Sequence, residues 1–200
     1  MAIDWEFISG KDIEGESEHL TGYVPAEGSG FTVGSFDIGQ HNEEDLRTIL
    51  QKYANKLDPN NPRGYGNIRQ DLLERISPYA LREDVSDVEA RKISFKKEDI
   101  DYLTAAKRYD FEESLSFLEG WGNLNPKMQT ILGSVGWQYG INKPIFKDLY
   151  GLRGSEGNMI SKLIEMGSAE YKHRRTKEAE YLDPTFSKMR RLDNPVGYRE

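Results

Sequence analysis

The chain contains no cysteine. Disulfides, thiolate zinc sites and cysteine nucleophiles are therefore excluded together, and stability has to come from packing. Histidine is scarce as well. His19, His41 and His173 stand apart, with no His-Glu-x-x-His pattern to suggest a catalytic zinc. No run of ~18 apolar residues is present, so no transmembrane helix is expected. The first residues, Met-Ala-Ile-Asp-Trp-Glu, carry acid where a signal peptide carries base, and no apolar segment follows. Positive charge is in deficit: 27 Lys and Arg stand against 34 Asp and Glu, a net charge of -7. A dedicated nucleic-acid binder normally shows the opposite sign. The basic residues that exist cluster late, at Lys172, Arg174, Arg175 and Lys177, then Lys188, Arg190 and Arg191. Such runs are most simply solvated helix faces and tails.

What is present reads as one domain of ordinary size, 200 residues with a mean hydropathy of -0.73. Ile3, Phe7 and Ile8 give the first ~15 residues a short helical face, which Gly10 weakens and Gly15 ends. From Leu20 the texture turns glycine-rich and β-prone. Two strands, 21–24 and 31–33, are predicted to flank a turn at 25–30. The remainder reads helical. Asn42 is a candidate N-cap followed by Glu43, Glu44 and Asp45, where acid suits the helix dipole, and that helix runs to about Tyr53. Further helices are expected over 65–76, 96–107 and 112–119. The strongest starts at Asn125-Pro126, with Met128, Ile131, Leu132, Val135 and Tyr139 on one face. Met159, Ile160, Leu163 and Ile164 repeat the signal, and 169–182 forms the last long helix. The expected fold class is α+β, a hairpin followed by helices.

The acids Asp12, Glu14, Glu16 and Glu18 alternate along the chain. They read as a solvated turn, as a partial calcium loop lacking its tight glycine, or as one catalytic acid at a helix end with exposed neighbours. Thr32 on the second strand and Asp37 beyond it complete a constellation suited to glycoside hydrolysis. One carboxylic acid protonates the leaving oxygen, and an opposed group activates water or steadies an oxocarbenium-like transition state.

Particular stretches carry a resemblance. Phe7-Ile8-Ser9, Glu14-Gly15, Thr21-Gly22-Tyr23-Val24-Pro25, Ser29-Gly30-Phe31-Thr32-Val33-Gly34 and Phe36-Asp37-Ile38-Gly39-Gln40 resemble the pesticin-type muramidases and related phage lysins. That group is allied to the tailed-phage lysozymes of glycoside hydrolase family 24. Gln129, Ile131-Leu132, Ser134-Val135-Gly136 and Gln138-Tyr139-Gly140 resemble the family's long core helix, and Arg174-Arg175 with Glu178-Ala179 its terminal helix. The resemblance implies a lysozyme-like domain over 1–183, with a cleft-forming hairpin lobe at about 20–40, a helical lobe at about 42–182, and a tail at 184–200.

By the same resemblance Glu14 is the general acid, with Asp12 and Glu16 as rivals. Thr32 places water or the reacting sugar, Asp37 is the second carboxylate, and Tyr23 and Gln40 bind substrate. The family pattern Thr-[Ile/Val]-Gly-x-Gly-Phe-Asp stands here one glycine shorter, as Thr-Val-Gly-Ser-Phe-Asp. The implied reaction is hydrolysis of the β-1,4 bond between N-acetylmuramic acid and N-acetylglucosamine, with no cofactor and no metal. An inactive wall-binding or structural module of a phage or secretion device is the alternative. The expected partner is bacterial peptidoglycan, with an immunity protein added if the chain is a secreted effector. Neither nucleic acid nor membrane is expected, and the chain should be a monomer. A phage lysin would wait in the host cytoplasm for release to the wall, whereas an effector would be exported by other machinery.

Local readings compete with each assignment. Thr32 also suits a strand, Asp37 a turn or cap, Tyr23 hairpin packing, and Gln40 and His41 a loop. Arg174 and Glu178, four apart, suit a helix-face pair or a buried ion pair. Trp121 and Trp137 suit the core.

Overall fold

A computed structural model describes residues 3–9, 20–25, 29–60, 68–167 and 171–186. Among them lie nine α-helices: α1 Trp5–Ser9, α2 Glu43–Leu57, α3 Gln70–Ile76, α4 Asp87–Ala90, α5 Lys97–Ser116, α6 Pro126–Tyr139, α7 Pro144–Gly151, α8 Glu156–Met166 and α9 Lys172–Leu182. The chain divides into two compact units, Ser17–Ser114 and Met1–Glu16 with Leu115–Glu200.

In the Ser17–Ser114 unit, α2 begins where its sequence says it should. The Asn42 side chain accepts from the Asp45 amide at 2.8 Å while the Asp45 carboxylate takes the Asn42 amide, a reciprocal cap. Leu46, Ile49, Leu50 and Ala54 then form the buried face. Leu46, Ile49 and Leu50 meet Phe31, Val33, Phe36 and Ile38 from the preceding loop, Leu72 and Ile76 of α3, and Leu103 and Ala106 of α5. The two helices expected over 96–107 and 112–119 are one, α5, because no glycine or proline interrupts 108–111. Asp99 fixes its start. That carboxylate is 4% exposed and pairs with Arg69 at 2.9 Å and Arg75 at 3.2 Å.

The expected α+β architecture is corrected: among the described residues the fold is helical and holds no strand or sheet. The segments read as hairpin arms meet at the single antiparallel bridge between Tyr23 and Thr32. Their other backbone groups are claimed elsewhere. Gly22 donates to Ile93 at 2.9 Å, Leu20 accepts from Phe95 at 2.8 Å, Phe31 accepts from Gly39 at 2.9 Å, and Val33 pairs with Phe36. With the hydrogen bonds split among four neighbours, a ladder never lengthens into strands. β-prone residues therefore build a compact loop, with Phe31, Val33 and Phe36 in the core.

In the other unit, Asn125 caps α6 by accepting from the Met128 amide at 2.9 Å, and Pro126 occupies the first turn. Residues Met128 through Gly136 are all buried. Helix α1 packs against α6. The Asp4 amide donates to Thr130 Oγ1 at 3.0 Å, Trp5 meets Trp137 edge to face at 5.0 Å, and Ile3 lies over Gly133. Tyr181 of α9 closes this group by donating to Asp4 at 3.0 Å. Trp121 is 1% exposed, a core residue, while Trp137 is half-buried. Arg174, Arg175 and Glu178 form a buried ionic cluster with Ser134, whose hydroxyl donates to Glu178 at 2.5 Å. Of the two readings of Arg174 and Glu178, the structure selects the buried pair.

Candidate functional site

Residues 23–25 and 29–41 bring four of the sequence-predicted site residues into one loop system. Val33 and Phe36 exchange both backbone hydrogen bonds at 3.0 Å, closing a two-residue turn over Gly34-Ser35. Gly34 sits at φ +57°, in the first central position, where two-residue hairpin loops favour glycine. A side chain here would meet Ile100 Cγ2 at 2.7 Å and Thr104 Oγ1 at 2.8 Å, so the turn lies flush on α5. The run that is one glycine shorter than the family pattern thus closes as a regular tight turn, and the chain leaves it at Phe36 and Asp37.

Thr32 is 6% exposed, and its hydroxyl donates to the Gly30 carbonyl at 3.2 Å. Tyr23 donates its phenol to the Gly34 carbonyl at 2.9 Å, bracing the turn. Gln40 is exposed at the end of a 3₁₀ turn, Ile38–Gln40, that starts from Asp37. Glu14, the predicted general acid, lies outside the described residues, as do its rivals Asp12 and Glu16.

Asp37 is the most constrained polar group of the loop. Its Oδ1 is sealed from solvent, although the side chain as a whole is 47% exposed. That oxygen lies 3.0 Å from Lys107 Nζ and 3.5 Å from His41 Nε2. It makes an ion pair with the ammonium. Lys107 comes from the middle of α5, its side chain only 16% exposed. Its Nζ also lies 2.7 Å from His41 Nε2 and 5.4 Å from the centre of the Phe36 ring. Burial alone would push the Asp37 carboxyl up. The Lys107 ammonium 3.0 Å away outweighs it and holds the group below the ordinary aspartate value.

A carboxylate held in this way is ionised throughout the neutral range. It can accept hydrogen bonds, orient water or face a developing positive charge, but it has no proton to donate. His41 stands four residues after Asp37, so this neighbour was visible in the sequence, although a loop role described it equally well. Lys107 is 70 residues from Asp37, and no local pattern announces the pairing. Among the described residues no group of three His, Asp or Glu side chains is arranged to hold a metal ion. No described helix is long and apolar enough to cross a membrane.

A family model described as Pesticin, "Bacterial toxin homologue of phage lysozyme, C-term", matches residues 2–147, which takes in Thr32, Asp37, His41 and Lys107. No curated protein matches the chain. The match spans well over half of the sequence, and so this chain, with its ionised Asp37 on a glycine-tight loop, belongs to the pesticin family of lysozyme-like muramidases that act on peptidoglycan.

Proposed function

We propose that the chain hydrolyses the β-1,4 bond between N-acetylmuramic acid and N-acetylglucosamine, with Glu14 as general acid and Asp37 as the permanently ionised second carboxylate. The observation that carries this reading is the state of Asp37. The Lys107 ammonium beside it holds its carboxyl below the ordinary range, which suits a group that must remain negative while an oxocarbenium-like centre forms. A carboxylate that stays ionised cannot also supply the proton. The donor must be a second group, and the resemblance carried by Glu14-Gly15 favours Glu14. Thr32, fixed by Gly30, helps to place the attacking water, and Tyr23 and Gln40 contact the sugar from the same loop system.

The test is lysis of outer-membrane-stripped bacteria by Glu14→Gln protein whose circular dichroism and thermal unfolding match the wild type. An amide cannot protonate the leaving oxygen, and loss of a general acid typically costs ~10²–10⁴-fold. Lysis within a factor of two of wild type would remove Glu14 from the mechanism and transfer the role to Asp12 or Glu16. A wild-type chain that binds walls without cutting them would instead establish the non-catalytic module.

A further inference from the structure

Lys107 is largely withdrawn from solvent, cationic, distant in sequence from the motif residues, and paired with Asp37 of the loop. We propose that Lys107 is the positioning residue for Asp37, with His41 as the acceptor that fixes the direction of its ammonium; this inference rests on the catalytic role of Asp37 given above.

A lysine normally keeps its ammonium in water by letting the long stem lie along the surface. The Lys107 side chain is 16% exposed, so its charge is largely withdrawn and needs partners. Three groups surround it: Asp37 Oδ1 at 3.0 Å, His41 Nε2 at 2.7 Å and the Phe36 ring at 5.4 Å. All three lie within the six-residue stretch 36–41, and none is on α5. A helix side chain therefore gathers a whole loop segment around one cation.

The chemistry of the contacts fixes their direction. An ammonium has only protons to give, so His41 Nε2 accepts from it and must be unprotonated at that nitrogen. Phe36 meets the His41 ring edge to face at 5.5 Å, which holds the imidazole plane. With one ammonium proton directed at His41, the remaining charge faces Asp37 Oδ1. This oxygen is sealed, so the exposed remainder of the carboxylate is what substrate or water meets. Lys107 thus determines both the charge state of Asp37 and which part of it is presented. It acts through Asp37 and touches no substrate itself.

The experiment compares Lys107→Met, Lys107→Arg and Asp37→Asn in the full chain. Methionine keeps an unbranched stem in the helix while removing the charge. Two readouts are taken: the pH profile of kcat and KM on soluble peptidoglycan fragments, and the carboxyl titration of Asp37 followed by carbon NMR, which needs no activity. Lys107→Met should raise the Asp37 titration midpoint, move the acid limb of kcat upward with it, and lower kcat at the optimum by roughly ten- to a hundredfold. KM should change little, and Lys107→Arg should restore most of both effects. If the Asp37 titration and the acid limb are unmoved in folded Lys107→Met protein, the positioning role is overturned. If Lys107→Arg behaves like Lys107→Met, the requirement for a cation is overturned. A failure of the underlying reading looks different. Asp37→Asn would then lyse normally, while Lys107→Met would still shift the Asp37 titration, so that the hold on the carboxylate stands and its catalytic use falls.

Discussion

Gly39→Ala tests whether the backbone of the 3₁₀ turn sets the position of Asp37. Gly30 and Gly39 pass each other face to face. A Cβ on Gly39 would lie 2.4 Å from Gly30 Cα, 2.7 Å from the Phe31 amide nitrogen and 2.9 Å from the Gly30 carbonyl carbon. Ordinary contact begins at about 3.4 Å, so the two backbones must separate by roughly 1 Å. No flexible side-chain tip is available to yield, because all three atoms are backbone. The Gly39 amide also donates to the Phe31 carbonyl at 2.9 Å, and separation stretches that bond. Gly39 does not occupy the left-handed region, so alanine gains ~0.4–1 kcal/mol from a less flexible unfolded chain. Overpacking costs ~1–3 kcal/mol. The expected net loss is ~1–2 kcal/mol, a fall of ~2–8 °C in Tm for a chain of this length. Displacement of Asp37 by ~1 Å should cost up to ~10²-fold in lysis rate. Thermal unfolding by circular dichroism and turbidity loss on stripped cells read the two effects. Gly157→Ala is the control: it lies in the first turn of α8, a Cβ there meets nothing within 4 Å, and it should stabilise by up to ~1 kcal/mol. A Gly39→Ala protein as stable and active as wild type would refute the close-approach reasoning.

Other perturbations follow from the same geometry. Asp99→Asn removes the carboxylate shared by Arg69 and Arg75, and should cost ~2 kcal/mol by urea unfolding at pH 7, less than the 3–5 kcal/mol of a fully buried pair because both arginines remain 38% exposed. Burial opposes ionisation of Asp99, but Arg69, the Lys96 amide and Arg75 outweigh it and depress its pKa. Its stabilisation is therefore complete above the unfolded value of about 4 and is lost as pH falls through the lower folded value, so the gap between wild type and variant should close in acid. A gap that widens in acid would contradict the assignment. Glu178→Gln leaves the fully buried Arg175 without its counter-charge and should cost ~3–5 kcal/mol, measured by the same unfolding curve. Leu81 holds φ +52° with its side chain 63% exposed, so Leu81→Gly should stabilise by ~0.5–1 kcal/mol, the relief of left-handed strain less the entropy of glycine.

Signals that act over one helical turn were legible in the sequence. The Asn42 cap with its acidic first turn, and Asn125-Pro126 ahead of a core stripe, place α2 and α6 because the cap and the periodicity are themselves the forces that form them. The sequence also held Arg174 and Glu178 at the spacing of a pair, although only packing decides that the pair is buried. The hairpin lobe failed for a physical reason. Strand propensity reports that a residue suits extended backbone, and it says nothing about which backbone is adjacent. Gly22 finds Ile93, and Phe31 finds Gly39, so the arms never zip. Lys107 was illegible as a partner of Asp37 for the same reason: 70 residues of chain, including α2 and α3, must pack before the ammonium arrives. The site residues on the loop were readable as types in order, but the cation that sets their chemistry was not.

If Asp37 acts as an ionised carboxylate in a lysozyme-type hydrolase, removal of its charge alone must stop lysis. The most direct measurement is the lysis rate of folded Asp37→Asn protein on outer-membrane-stripped bacteria at neutral pH, beside wild type of equal thermal stability. Asparagine keeps the size and hydrogen-bonding outline of the side chain and removes only the charge. The loss should be at least ~10²-fold. Lysis at close to the wild-type rate would contradict it and return Asp37 to the role of a turn residue paired with Lys107.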